Sequence, residues 1–184
     1  DRLRALLAEA DVFLVAELPA VLAEVGLDWE TLSAANPRLV MVSITPFGAE
    51  SPRSSEPVTD LTLLAEGGPV WSCGYDDHTL PPVRGGGNQS LHMAGNWAVM
   101  SLLIALLARE ETGQGQFIDV NMYAAANVTT EMASYGWLMC QAEVQRQTGR
   151  HAAPTLTPQV QVRCRDGRYA TTGVPARDPE TFRK

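Results

Sequence analysis

Lysine is almost missing from this 184-residue chain: Lys184 is the only one, and arginine supplies every other basic side chain. We read that bias as genomic rather than chemical. The 14 basic residues face 21 acidic ones, a net charge of −7. Such a balance disfavours a nucleic-acid surface, because polyanions are held mainly by Lys and Arg neutralising phosphates. A local anion pocket, which needs only a few donors, stays open. Cysteine is scarce as well. Cys73, Cys140 and Cys164 are odd in number and form no C-x-x-C pair, which argues against a disulfide framework or a structural zinc site. Buried free thiols in a reducing, cytoplasmic setting are expected instead. The histidines, His78, His92 and His151, show no metal-ligand spacing, and no metal is expected. There is no internal repeat, P-loop, G-x-S-x-G elbow or secretory leader pattern. The most apolar run, Trp97 to Ala108, falls short of the roughly 20 residues of a membrane span and meets Arg109-Glu110-Glu111 at once. No membrane partner is expected.

What remains is ordinary globular composition, 45% hydrophobic and 19% charged, with 15 Gly and 12 Pro. The chain starts at Asp1 inside a helical pattern. It closes on Asp178-Pro179-Glu180, which reads as a helix start with Asp as cap and Pro at the first position. These ends lead us to expect a segment of a longer protein.

Strands and helices alternate along the chain. Arg2 to Ala10 reads as a helix, and Val12 to Val15 as a wholly apolar strand suited to a parallel sheet covered on both faces. A short helix from Pro19 to Val25 is closed by Gly26, Asp28 caps a second helix to about Ala35, and Leu39 to Ile44 is another buried strand. Strand, helical crossover and strand together predict an α/β fold, a Rossmann-like parallel sheet with flanking helices. Pro46 to Pro57 is loop. Asp60 is expected to cap a helix that Gly67-Gly68 ends, and Pro69 to Gln89 is a long irregular segment of the kind that carries function. Ser90 to Arg109 reads as a long buried helix, with Met93, Trp97, Met100, Ile104 and Leu107 on one face and apolar residues nearly all round. Gly113 and Gly115 break it. A third strand, Phe117 to Val120, a helix from Met122 to Val144 and a Pro-punctuated linker from His151 to Pro158 follow. Asp166-Gly167 between Val160–Cys164 and Arg168–Thr171 is a strong hairpin signal. We therefore expect a boundary near residue 150, with 1–150 as part of a large domain and 151–184 as the beginning of a smaller one.

Taken alone, the chemical constellations are sparse. Asp76-Asp77-His78 reads as a solvated turn. His92 stands near the start of the long helix beside Asn88 and Gln89, where it is a candidate general base or a structural histidine. Gly85-Gly86-Gly87 ahead of that helix suits the approach of an anion or a thioester carbonyl, since bare backbone N–H groups and the helix dipole favour negative charge. Asp119 lies at a strand end where burial would demand a partner.

Several segments together carry a resemblance. Asn36-Pro37-Arg38-Leu39-Val40-Met41-Val42-Ser43-Ile44-Thr45-Pro46-Phe47-Gly48 is similar to the N-P-R-L-V-x-x-S-I-x-x-F-G segment of the class III CoA-transferases, the CaiB/BaiF family. Ala10-Asp11-Val12 with Gly26-Leu27, Asp60-Leu61 through Gly67-Gly68, and Ala105 through Arg109 with Thr112-Gly113-Gln114-Gly115-Gln116-Phe117-Ile118-Asp119-Val120 resemble further blocks of it. The resemblance runs from about residue 3 to about residue 145. It implies CoA exchange between an acyl-CoA and a small carboxylic acid, and two interlocked chains, either a homodimer or a heteromer with a homologue. It also implies an attacking Asp that forms a mixed anhydride, after which the CoA thiolate gives an enzyme thioester.

Here the sequence departs from the pattern. Counting back from Thr112-Gly113, the attacking Asp falls on Leu91, and no carboxylate lies between Asp77 and Glu110. The family's R-P-G beside bound CoA reads Leu18-Pro19-Ala20. The expected CoA contacts are Ala16, Glu17, Leu18, Pro19, Gly86, Gly87 and Asn88, and the candidates left for chemistry are His92, Asn88 and Asp60. Three explanations stand: altered chemistry using His92 or Asn88, CoA binding without turnover, or a carboxylate supplied by a paired or fused half. A racemase-like enzyme of the same superfamily is a further alternative, with Thr59 standing where that branch carries His.

Overall fold

A computed structural model describes residues 2–130 and 133–171. Two compact units form, Asp1–Gly67 with Gly86–Thr129 and Gly68–Gly85 with Thr130–Lys184. The segment 68–85 clusters with chain beyond residue 129.

In the first unit the described elements are α1 (Arg2–Leu7), β1 (Val12–Val15), α2 (Pro19–Glu24), α3 (Trp29–Ala35), β2 (Val40–Thr45), α4 (Asp60–Glu66), α5 (Gln89–Thr112), β3 (Phe117–Asn121) and α6 (Met122–Thr130). The strands pair in the order β1-β2-β3, all parallel, with Val12 opposite Val40 and Met41 opposite Phe117. β2 is central, and Val40, Met41, Val42 and Ser43 are all buried. A strand covered on both faces needs such a continuous run. Among the described residues β1 lies at the sheet edge and leaves Leu14 exposed. This is the α/β class the alternating pattern predicts.

Local chemistry fixes the helix ends. Pro19 opens α2, and Gly26 follows it at φ +64°. Asp28 caps α3 by accepting the Thr31 N–H at 2.8 Å and the Thr31 hydroxyl at 2.9 Å. The Thr31 N–H bond is the main force holding that carboxyl below its ordinary pKa. At α4 the expectation is corrected: Thr59 is the cap, in a capping box with Thr62, and Asp60 is the first helical residue. Gly113, left-handed at φ +74°, ends α5 by donating to the Arg109 carbonyl at 2.8 Å.

Packing on α5 also differs from expectation. The helix lies against β2, β3 and α4. Of the face read from sequence only Met93 is buried, while Trp97, Met100, Ile104 and Leu107 are exposed. The face that packs is Ser90, Ala94, Ala98, Ala105 and Arg109. Small side chains let the helix axis approach the sheet. An all-round apolar sequence gives no periodicity from which to choose that face. By length and composition alone α5 is long and apolar enough to cross a membrane.

At the far end of α5, Arg109 is buried and joins three segments. It meets the Asp11 carboxylate at 2.8 Å and donates to the Arg38 carbonyl at 2.9 Å and the Asp11 carbonyl at 3.2 Å. On the other side of the sheet Leu7, Leu22, Leu32, Leu39 and Met41 form the core beneath α1, α2 and α3.

The second unit holds α7 (Ala133–Cys140) and two antiparallel hairpins, β4 (Gln145–Gln147) with β5 (Arg150–Ala153) and β6 (Gln161–Arg163) with β7 (Tyr169–Thr171). The helix expected to reach Val144 ends at Cys140, and part of the expected linker is β5. The hairpin around Asp166-Gly167 is present, with Gly167 at φ +84°. The helix start expected at Asp178-Pro179-Glu180 lies outside the described residues. Asp76-Asp77-His78 is not merely a solvated turn. Asp76 pairs with Arg150, and its N–H donates to the Thr148 hydroxyl at 2.9 Å. His78 Nε2 lies 3.0 Å from the Arg146 carbonyl, and Arg146 donates to the carbonyls of His78 and Leu80 at 3.2 and 3.0 Å. The cysteines, expected to be buried, are free and exposed.

Candidate active site

The position of α5 follows from its two ends. Arg109 holds its C-terminal turn at Asp11 and Arg38, just before the amino ends of β1 and β2. A helix of 24 residues is about 36 Å long at 1.5 Å per residue, longer than the strands it covers. Its N-terminal turn therefore reaches the carboxyl edge of the sheet. Ala16 to Pro19, which follow β1, and Thr45 to Ala49, which end and follow β2, belong to the same edge. Parallel α/β sheets bind ligands along this edge.

Each part of that edge is fixed locally. Glu17 accepts the Leu18 N–H at 2.8 Å, and Leu18 precedes α2 without a side-chain capping bond. Behind Pro19 lies a cavity of about 290 Å³, lined also by Leu22, Trp29, Met41, Ser43 and Phe117. The Ser43 hydroxyl is buried there without a hydrogen-bond partner among the described residues. Carboxylates come from Asp28, Glu30 and Glu50, and no Lys or Arg lines the space. The cavity therefore suits an uncharged part of a ligand rather than its phosphates. The loop after β2 is pinned to β3: Asp119 accepts the Ala49 N–H at 2.8 Å, Asn121 donates to the Phe47 carbonyl at 2.7 Å, and Arg53 stacks on Phe47 at 3.9 Å. Asp119 thus has the partner its position demands.

At the start of α5, Gly86 and Gly87 have no atoms within 4 Å of where a Cβ would stand, and Gly87 is left-handed at φ +79°. Asn88 is the helix cap but makes no side-chain capping bond. Leu91 is 53% exposed, and His92 is exposed too. The structure brings Asp60 to this turn: its Oδ1 accepts the Ser90 N–H at 2.9 Å and the Ser90 hydroxyl at 2.7 Å. Sequence reasoning missed Ser90, because nothing local in the chain signals a cap supplied from another helix. It missed Thr59 although the Thr59-x-x-Thr62 spacing carried that signal. Among the described residues no cluster of His, Cys, Asp and Glu could hold a metal ion.

Residues 1–183 match the family described as CoA-transferase family III. The chain belongs to that family. Within it, the chain is 35% identical over 180 residues to the BbsE subunit of succinyl-CoA:(R)-benzylsuccinate CoA-transferase from Thauera aromatica, covering 97% of this chain and 42% of that protein. It is 30% identical to the beta subunit of succinyl-CoA–L-malate CoA-transferase from Chloroflexus aurantiacus, covering 89% of this chain and 40% of the relative. The crystal structure of a CaiB/BaiF family protein from Brucella suis superimposes with a TM-score of 0.73 at 30% identity, over 79% of this chain and 38% of that one. The chain thus spans about two fifths of the length of these two CoA-transferases.

Proposed function

We propose that the protein containing this chain moves CoA between an acyl-CoA thioester and a small carboxylic acid. In this reading the chain supplies a CoA cleft along the carboxyl edge of its sheet, from Ala16, Glu17, Leu18 and Pro19 on one side and Gly86, Gly87 and Asn88 on the other. The attacking carboxylate comes from a homologous partner chain. One observation carries this division of labour: the α5 position that bears the nucleophile in the family pattern is Leu91, exposed and apolar. A leucine cannot attack a thioester or form an anhydride. Asp60, the carboxylate bonded to this turn, has Oδ1 engaged by Ser90. That two relatives are named as subunits supports a heteromer over a self-sufficient chain.

What the chain's own groups contribute is binding and orientation. Backbone N–H groups at the start of a long helix favour the negative charge that develops on a thioester oxygen under attack. Beside it His92 can move a proton and Asn88 can donate a hydrogen bond. A racemase-like reading is less favoured, because Thr59, standing where that branch carries His, is committed to the α4 capping box. A cytoplasmic setting is part of the proposal, since three free, exposed thiols suit a reducing compartment.

The test is Leu91→Asp in the full-length protein, incubated alone with succinyl-CoA and then with hydroxylamine. The wild type should give no trappable acyl-enzyme, and the variant should raise the signal at least about tenfold. Equal adduct in the wild type would mean that the chain holds its own nucleophile elsewhere.

A further inference from the structure

We propose that Asp60 is a positioning residue: its carboxylate, carried by the start of α4, fixes the first turn of α5 and so sets the direction of the side chain at position 91. The proposal rests on the reading that this turn borders the bound thioester.

A helix start leaves four N–H donors without partners in the helix itself. An N-cap side chain ordinarily satisfies one of them, but Asn88 makes no such bond. Asp60 takes over that role from a different helix, 30 residues earlier in the chain, receiving both the N–H and the hydroxyl of Ser90 on Oδ1. Ser90 is fully buried, so its bonds to the carboxylate are shielded from water. A charge-assisted hydrogen bond of this kind is roughly twice as strong as one between neutral groups. A carboxylate is also the charge that the positive end of α5 favours. The Thr59–Thr62 capping box holds the first turn of α4 and with it the residue that reaches across. Ser90 is thus anchored, and Leu91, the next residue, leaves the helix in a fixed direction with 53% of its surface exposed. Asp60 serves the cleft by holding its neighbour rather than by attacking.

The experiment uses the full-length protein in two forms. In the Leu91→Asp background, Asp60→Ala removes the acceptor of both Ser90 bonds, and Asp60→Asn keeps the shape and an acceptor oxygen without the charge. With Asp60→Ala we expect the first-order rate of hydroxylamine-trappable adduct formation to fall about tenfold or more, because misplacing a reacting group by an ångström is enough for that, and Asp60→Asn should restore part of it. The succinyl-CoA concentration giving half the maximal rate should stay within about twofold, whereas a general loosening of the fold would raise it and lower Tm together. Ser90→Ala, which removes one of the two bonds, should fall between. In the protein with Leu91 intact, Asp60→Ala should speed amide hydrogen exchange at Ser90, His92 and Met93 and leave Ala98 to Ala105 unchanged. Unchanged exchange in the first turn would overturn the clamp. Faster exchange with a full adduct rate would overturn the positioning role while leaving the cleft reading intact. Failure of Leu91→Asp itself to form adduct would end the cleft reading and this role with it, even if exchange shows the clamp.

Discussion

A Cβ added to Gly115 would overlap the carbonyl of Leu39, and the Gly115 N–H donates to the Pro37 carbonyl at 2.8 Å. The glycine lets the chain leaving α5 run flush against the chain entering β2. Gly115→Ala must therefore push two backbones apart, and we expect a loss above about 3 kcal/mol, measured by urea unfolding of the full-length protein. Gly113→Ala, which only meets the left-handed φ of a helix end, should cost about 1 kcal/mol. The helix stop was legible from the Thr112-Gly113-Gln114-Gly115 string. The reason for its second glycine was not, because it depends on a strand distant in sequence. The candidate site divides in the same way. Leu91 could be found by counting along one segment, whereas the Asp60–Ser90 bond links two helices that no local pattern relates.

Among the elements, β2 and the Asp28-capped α3 were readable because a four-residue buried run and a cap are local signals. The packing of α5 was not. With apolar residues on every side, its sequence offers several faces, and the sheet selects the one whose side chains are smallest. This gives an ordered expectation for the 184-residue chain. Ala98→Leu, at 1% exposure, overfills the helix–sheet contact and should destabilise by about 1–3 kcal/mol. Leu103→Ala, at 56% exposure, should cost less than about 1 kcal/mol. Chemical denaturation of both variants checks the order, and the reverse order would mean that another face packs.

Across the whole chain, polar links also run through the described part of the second unit. Arg150, with a side chain only 7% exposed, pairs with Asp76 and donates to the Thr157 carbonyl, while Gln147 accepts from the Thr157 N–H at 2.7 Å. Arg150→Ala removes the donor shared by Asp76 and the Thr157 carbonyl and should cost that unit roughly 2 kcal/mol. Amide exchange should quicken across Thr148, Ala152 and Thr157 while β2 keeps its protection, and uniform quickening would mean that the two units unfold as one. Among the described residues the three-strand sheet of the first unit ends at β1, which pairs there with β2 alone and leaves Leu14 exposed. Its ladder is confined to Val12 to Val15, because Pro19 soon turns the chain into α2. An extended segment laid along it has room for one or two ladder bonds, whether it comes from the rest of the protein or from a partner.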